Sequence, residues 1–301
     1  MIARVVAALL LLAVALVACG EDDRAASGER VTVVATTTQA ADLARNVGGA
    51  DVEVVALLAA NADPHDYEVR PRDLQALTDA DLIVRSGGDL DEWLQEAIEG
   101  AGSDAPVLTL MDGVRAVDDD PHWWQDPRNA VLATGALARA LSEADAADAA
   151  AYRANAARYQ ARLRRLDRAV ADCLGRIPAA RRKLVTTHDA LGYYARRYGI
   201  EVVGTVIPSL STRGQPSAGE IADLVETIRE QGVRAIFAES SVNAKVEQAI
   251  ARETGARVGK ALWADTLGPE GSDGETYVAS IAANTRAIAD GLAGERCSID
   301  A

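Results

Sequence analysis

Short runs of β-branched residues alternate with longer amphipathic stretches along most of this 301-residue chain. The stretches between the runs are rich in alanine, arginine and glutamate, and they predict helices at residues 39–47, 72–80, 91–99 and 217–231. The runs predict eight strands, at residues 31–35, 52–58, 81–84, 106–110, 183–187, 201–207, 233–238 and 256–262. Such alternation is typical of parallel sheets covered by helices, so the sequence predicts an α/β fold.

One segment in the middle of the chain interrupts this alternation. Residues 145–174 contain neither proline nor glycine, and their large apolar residues recur three or four positions apart, which is the spacing of one helical face. A helix of this length is about 45 Å long, too long for a crossover within one small domain. Two shorter helices with a bend near 142–145 are the alternative. Since four predicted strands lie on each side, we predict two α/β lobes, each a four-stranded mainly parallel sheet, joined by one long rigid helix.

The N-terminus carries a targeting signal. Residues 1–18 contain a single arginine followed by an apolar run that is too short for a good membrane span, as in a secretory signal. The run ends at Leu16-Val17-Ala18-Cys19, which resembles the bacterial lipobox, where cleavage precedes a cysteine that then carries lipid. An ordinary signal peptide followed by an incidental cysteine is the alternative. We therefore expect an extracytoplasmic protein, lipid-anchored to the bacterial cell membrane through Cys19.

Together these patterns divide the chain into five parts. We predict a lipoprotein signal peptide at 1–18, a flexible tether at 19–30, an N-terminal α/β lobe at 31–141, a linking helix at 142–176 and a C-terminal α/β lobe at 177–301. The formal net charge of −14 argues against a surface that neutralises phosphates, so we expect no nucleic-acid partner.

Two further cysteines, Cys173 and Cys297, remain in the mature chain. Outside the cytosol an even pair is more often a disulfide than two free thiols, and we predict a disulfide between them. A catalytic cysteine is the alternative, but neither cysteine has a histidine nearby in the sequence.

All three histidines of the chain lie on predicted strand-to-helix connections, where α/β folds place ligand sites. They are His65, His122 and His188, and the first two each follow an Asp-Pro pair. A single histidine is more often structural than a ligand. Three at similar positions indicate a metal site assembled from distant loops, because their separations exclude a zinc finger or a single-helix His-Glu-x-x-His site.

Three imidazoles and one carboxylate suit a borderline cation, so we expect the fourth ligand to be a carboxylate at the end of a strand. We favour Asp265, which follows the last predicted strand, and Glu239, which ends the preceding one, is the competitor. The acidic neighbours Asp66 and Asp189 are expected to orient the imidazoles through their second ring nitrogen.

Three motifs resemble those of the zinc/manganese substrate-binding lipoproteins of bacterial ABC transporters. They are Asp-Pro-His-x-Tyr-Glu at 63–68, Asp-Pro-His-x-Trp-x-Asp-Pro at 120–127 and Thr-His-Asp-Ala-x-Gly-Tyr-Tyr at 187–194. The resemblance covers essentially the whole mature chain. It implies a metal buried between the lobes, with His65 and His122 from the first lobe and His188 and Asp265 from the second. It also implies a monomer that delivers its metal to an ABC permease in the membrane.

The resemblance also bears on which metal is bound. Manganese-type members commonly have glutamate at the position of His188, so the histidine favours Zn²⁺, with Mn²⁺ as the alternative. A histidine-rich acidic loop found in many zinc-type members is missing from this sequence, and Trp124-Gln125 replaces the more usual Trp-Leu. We expect the second change to face the start of the following helix more than the metal.

Two other functions are alternatives to metal transport. A zinc-dependent hydrolase keeps one coordination position open for water, whereas four candidate ligands here fill a tetrahedron, so we do not predict an enzyme. A surface adhesin is the other alternative, because lipoproteins of this family are often described as adhesins.

Overall fold

Two separate four-stranded sheets form the core of the computed structural model, which describes residues 30–299. The strands of the first sheet are β1 (Val31–Ala35), β2 (Val52–Ala56), β3 (Leu82–Arg85) and β4 (Val107–Thr109). The strands of the second are β5 (Lys183–Thr186), β6 (Glu201–Thr205), β7 (Ala235–Phe237) and β8 (Arg257–Val258). Their spatial orders are β2-β1-β3-β4 and β6-β5-β7-β8, and every pairing is parallel. The two halves therefore share one topology, and the predicted α/β fold is confirmed.

Helices follow most strands and cover the sheets. Several begin at the capping residues typical of helix starts: the side chains of Thr37, Asp126, Ser217 and Thr276 each accept a hydrogen bond from a backbone N–H of the first turn. The α-helices of the described residues are α1 (Thr38–Gly48), α2 (Pro71–Thr78), α3 (Leu94–Ala101), α4 (Pro127–Ala144), α5 (Ala149–Gly175), α6 (Gly192–Tyr198), α7 (Ala218–Gln231), α8 (Lys245–Thr254) and α9 (Tyr277–Ala293).

The long helix between the two sheets is α5. It begins four residues later than predicted, because residues 145–148 form a turn between α4 and α5 in which the Asp145 carboxylate accepts a hydrogen bond from the Tyr152 hydroxyl. From Ala149 to Gly175 the helix is continuous. Its buried face includes the residues that recur three or four positions apart: Tyr152, Ala156, Tyr159, Leu163, Leu166, Val170 and Cys173.

One of the apolar clusters reaches both sheets, and each sheet also has a smaller cluster of its own. A single cluster of buried side chains includes Val33 and Val84 of the first sheet, Leu184 and Phe237 of the second, and Leu163 of α5 between them. The lobes are thus joined by packing as well as by the linking helix.

Residues 1–29, which include the predicted signal peptide and Cys19, lie outside the described residues. Within residues 30–299, none of the helices combines the length and the apolar character needed to cross a membrane.

Candidate metal centre

Four buried side chains converge between the two sheets. His65, His122, His188 and Asp265 each offer one ligand atom, and these atoms all lie within 4.8 Å of one another. The Asp265 carboxylate is central: its Oδ2 lies 3.3 Å from His65 Nε2 and 3.2 Å from His188 Nε2, and its Oδ1 lies 3.5 Å from His122 Nε2. The structure therefore brings together the four residues singled out in the sequence.

Local turns fix the first two histidines. His65 lies in a 3₁₀ turn (Pro64–Asp66) that follows β2, and His122 precedes α4. In both Asp-Pro-His segments the aspartate accepts a hydrogen bond from the backbone N–H of the histidine two residues later, at 3.0 Å for Asp63 and 2.9 Å for Asp120. The Asp-Pro-His sequence thus forms a tight turn that presents the imidazole.

Carboxylates also hold two of the rings through the nitrogen that faces away from the centre. The Nδ1 atom of His122 lies 2.7 Å from Asp120 Oδ1, and that of His188 lies 2.7 Å from Glu239 Oε1. When Nδ1 carries the proton and donates it to a carboxylate, the Nε2 lone pair is left free to bind a metal.

The expectation that Asp66 and Asp189 orient the neighbouring imidazoles of His65 and His188 is wrong for Asp189. Asp189 is exposed, and the carboxylate at Nδ1 of His188 is Glu239, while Asp120 has the same place at His122. Asp120 could have been found from its own Asp-Pro-His motif. Glu239 follows β7, which neighbours β5, the strand before His188, and adjacent parallel strands place their carboxyl ends side by side.

The electrostatics of the cluster favour a bound positive charge. Burial lowers the pKa of His188, but the carboxylates of Asp265 and Glu239 outweigh it and raise that pKa to about 11. Burial alone would raise the pKa of Asp265, but the imidazoles of His188 and His122 hold that pKa well below its usual range. The Nε2 atoms of His122 and His188 lie 3.3 Å apart, close enough for a proton or a cation to be shared between the two nitrogens.

A close approach between the lobes keeps Asp120 in place. A Cβ atom added to Gly192, at the start of α6, would lie 2.8 Å from Asp120 Oδ2. The glycine of the Thr-His-Asp-Ala-x-Gly-Tyr-Tyr motif therefore allows the second lobe to pack against the carboxylate that holds His122.

The residues after His122 contact the backbone beside Asp265. Trp124 Nε1 and Gln125 Nε2 both donate hydrogen bonds to the Ala264 carbonyl oxygen, at 2.9 and 2.7 Å. The expectation that the Trp124-Gln125 change faces mainly the helix start is thus incomplete, because Gln125 also fixes the segment that carries Asp265.

Comparison with known proteins places this arrangement in a family. Residues 33–291 match the family described as zinc-uptake complex component A, periplasmic (ZnuA). This chain belongs to the ZnuA family. Membership makes it a metal-binding substrate-binding protein of an ABC transporter and not an enzyme.

Individual relatives of this ZnuA-family chain differ in the metal that their names give. The manganese-binding lipoprotein MntA of Bacillus subtilis strain 168 is 33% identical over 301 residues, which cover 95% of this chain and 98% of the relative. The iron-binding protein YfeA of Yersinia pestis is 30% identical over 284 residues, with 91% and 90% covered. The solved structure of the periplasmic zinc-binding protein TroA from Treponema pallidum superposes with a TM-score of 0.83 at 29% identity, and covers 88% of this chain and 100% of that one.

Proposed function

We propose that this chain captures Zn²⁺ between its lobes through His65, His122, His188 and Asp265. The observation that carries the proposal is the convergence of three imidazoles and one carboxylate, all buried, with no hydrogen-bond partner for either oxygen of Asp265 among the described residues. Zn²⁺ favours four nitrogen, sulfur or oxygen ligands in a tetrahedron. One carboxylate against a divalent ion leaves a net charge of +1 at the centre.

A second candidate is Mn²⁺, which prefers oxygen ligands and higher coordination numbers. It is favoured by the position of Asp265, whose two oxygens both face imidazoles and can therefore bind one ion together. The names of several relatives, such as MntA, point the same way.

Metal analysis followed by competition tests the choice. Protein purified without added metal is analysed for its elements, and the metal-free form is then titrated with Zn²⁺ against Mn²⁺. We expect a single ion per chain and preferential retention of Zn²⁺. Retention of Mn²⁺ in the presence of equal Zn²⁺ would overturn the zinc assignment while leaving the site itself intact.

Single substitutions test the ligand set. His65→Ala, His122→Ala and His188→Ala should each sharply weaken Zn²⁺ binding, because each removes one of four bonds to the ion. Asp265→Ala should weaken it less, since water can take the place of the carboxylate. The matched control is Asp223→Ala, an exposed aspartate of α7, which should bind like the parent. Parent-like binding by His188→Ala would contradict the assignment.

We further propose that the protein works outside the cytoplasm as a lipoprotein, anchored through Cys19, and hands its metal to an ABC permease in the membrane. Relatives named as lipoproteins of ABC transporters support this. Cys19→Ala should move the folded, metal-binding protein from the membrane fraction to the soluble fraction, and continued membrane association in detergent-free buffer would count against lipidation. Deletion of the protein should reduce cellular zinc uptake, an effect that a purely adhesive protein would not have.

A further inference from the structure

The solvent-facing side of α5 is strongly basic, although the chain as a whole is acidic. Six exposed arginines lie along this side, which we call the arginine face. Five belong to α5 and the sixth, Arg176, follows its last residue; they are Arg153, Arg158, Arg164, Arg165, Arg168 and Arg176. Asp172 is the exposed carboxylate of the same helix, whereas its other carboxylate, Asp167, is buried and paired with Arg197. The helix therefore presents an excess of positive charge over its whole length, about 40 Å.

Among the residues that the structure describes, no carboxylate lies within ion-pair distance of the arginine face. Within residues 30–299, none of its six guanidinium groups forms an ion pair, although other arginines do so, as Arg197 with Asp167 and Arg257 with Asp290. Arg158 donates a hydrogen bond to the neutral side chain of Asn155. Unpaired cations gathered on one side of an acidic protein attract a negatively charged surface from outside the molecule.

The arginine face is directed away from the metal centre. Helix α1 begins beside the centre, where the Thr38 hydroxyl oxygen accepts a hydrogen bond from the N–H of Leu267, and ends at α5, where Asn155 Nδ2 donates to the Val47 carbonyl oxygen. Helix α6 begins four residues after His188, and at its other end Tyr198 donates a hydrogen bond to Asp167 of α5. Helix α5 therefore packs against the ends of α1 and α6 that are farther from the metal centre, and its solvent-facing side points away from that centre.

The chain also enters its first sheet beside this helix. The N–H of Val31 donates a hydrogen bond to the carbonyl oxygen of Asp51. Asp51 follows Gly49 by two residues, and Gly49 lies against α5, since a Cβ atom added to this glycine would be 2.9 Å from Asn155 Nδ2. The segment from residue 19 to residue 30 can span at most about 40 Å even when fully extended. A lipid on Cys19 would therefore hold the arginine face within reach of the bilayer.

We propose that the arginine face binds the anionic phospholipid surface of the membrane to which the protein is anchored. Guanidinium groups form paired hydrogen bonds with phosphate, and basic side chains on an exposed helix bind anionic headgroups in a salt-dependent way. In this orientation the metal centre faces away from the bilayer, toward the medium that supplies the metal. Transfer to the permease then requires the face to leave the membrane. This inference goes beyond metal capture and rests on the proposed anchor at Cys19.

The test measures protection of individual arginines in the mature lipoprotein. The protein is reconstituted into vesicles of phosphatidylcholine, with or without phosphatidylglycerol, and treated with phenylglyoxal, and the modified arginines are located by peptide mass spectrometry. We expect the six arginines to react several-fold more slowly in vesicles with phosphatidylglycerol. The protection should disappear in about 0.5 M NaCl, which screens charges beyond a few ångströms. Arg213 and Arg234, which are exposed elsewhere, should react equally in both vesicles.

Two double charge reversals distinguish an effect of the arginine face from an effect of the net charge of the protein. The double variant Arg164→Glu with Arg168→Glu should lose the protection of Arg153 and Arg158, whereas Arg213→Glu with Arg234→Glu, which changes net charge equally, should retain it. Both variants should bind the parental amount of zinc, so a failure of the metal assignment would be seen separately.

Three results would overturn the proposal. The first is equal reactivity of the six wild-type arginines in the two kinds of vesicle, a comparison that depends on no variant. The second is an equal effect of the two double variants. The third is protection by soluble polyphosphate but not by phosphatidylglycerol, which would assign the arginine face to a phosphate polymer instead of a membrane.

Discussion

Glu239 and Asp265 lie on opposite sides of the His188 imidazole. Glu239 Oε1 is 2.7 Å from Nδ1, while Asp265 Oδ2 is 3.2 Å from Nε2, so the two carboxylates have different roles at one ring. Asp265 faces the point where His65 and His122 also converge, whereas Glu239 fixes the ring from behind. We therefore assign Glu239 to positioning His188 and Asp265 to the candidate ligand set.

Glu239→Gln tests this division of roles. The amide of glutamine can donate to Nδ1, which would leave the proton on Nε2 and block metal binding, and the negative charge behind the ring is lost. Zn²⁺ affinity should fall about 10–100-fold, the usual cost of removing a carboxylate that orients a metal-binding histidine. The matched control is Glu253→Gln on the exposed surface of α8, which should not change the affinity. Parent-like affinity of the Glu239 variant would show that the ring is held by other contacts.

The raised pKa of His188 gives a second prediction. Because that pKa is about 11 in the metal-free protein, the imidazole carries a proton at neutral pH, and a metal ion must displace it. Lower pH favours the proton, so apparent Zn²⁺ affinity should rise by about tenfold per pH unit for the proton displaced, and should still be rising between about pH 7 and pH 9. Competition with a chelator of known pH dependence measures this. A plateau above about pH 7 would mean that His188 titrates like an ordinary histidine.

The residues of the site were easier to predict than their roles. The three histidines could be found because each lies on a connection between a strand and the following helix and the sequence contains no other histidine. The sequence favours Asp265 over Glu239 as the fourth ligand, and Asp265 is the carboxylate that faces Nε2 of His188. The contact of Glu239 with Nδ1 could not be predicted, because it depends on how the His188 ring is rotated. Asp120, by contrast, could have been found from its own Asp-Pro-His motif, because the turn of that motif places its carboxylate beside His122.

At the scale of elements, the predicted and observed boundaries of strands and helices differ where contacts with residues distant in the sequence end a strand or delay the start of a helix. The strand predicted at 256–262 is only β8, Arg257–Val258, followed by an isolated bridge from Leu262 to Glu239. Gly259 passes so close to Phe237 that an added Cβ would lie 2.5 Å from its ring, and the ladder is interrupted there. The helix predicted at 91–99 begins only at Leu94, because the Asp91 carboxylate instead accepts hydrogen bonds from Thr36 and from the backbone of Ser86.

The structure joins α5 to the segment after α9 through a disulfide between Cys173 and Cys297, with Cα atoms 5.7 Å apart. The bond closes a loop with a sequence separation of 124, for which chain entropy alone gives at most about 4–5 kcal/mol of stability. Reduction should therefore lower the melting temperature of the metal-free protein. Zinc stoichiometry should not change, since neither cysteine belongs to the four-residue cluster.

Mass measurement decides whether this bond exists in the mature protein. Unreduced protein alkylated under denaturing conditions should gain no label at Cys173 or Cys297, and reduced protein should gain two. Labelling of both residues without reduction would show that the disulfide is not formed, and reduction would then not lower the melting temperature.

At the scale of the whole molecule, the metal centre and the core connect the same two lobes. His65 and His122 follow strands of the first sheet, His188 and Asp265 follow strands of the second, and one apolar cluster runs through both sheets and α5. Separating the lobes widely would expose that shared core to water, which is unfavourable in proportion to the apolar area exposed. We therefore expect metal binding to adjust loops and lobe packing instead of closing a wide hinge.

A shared core also predicts that the lobes unfold together. Calorimetry of the metal-free protein should show a single unfolding transition for the two lobes, because neither lobe keeps a complete core when the other unfolds. Zinc at about 100 times its dissociation constant should stabilise the folded state by about 2.7 kcal/mol and raise the temperature of that one transition. His65→Ala should unfold in the presence of a chelator much as the parent does but should lose most of the zinc-dependent shift. Two separate transitions, of which zinc moves only one, would show that the lobes are independent and that the ligands do not bridge them.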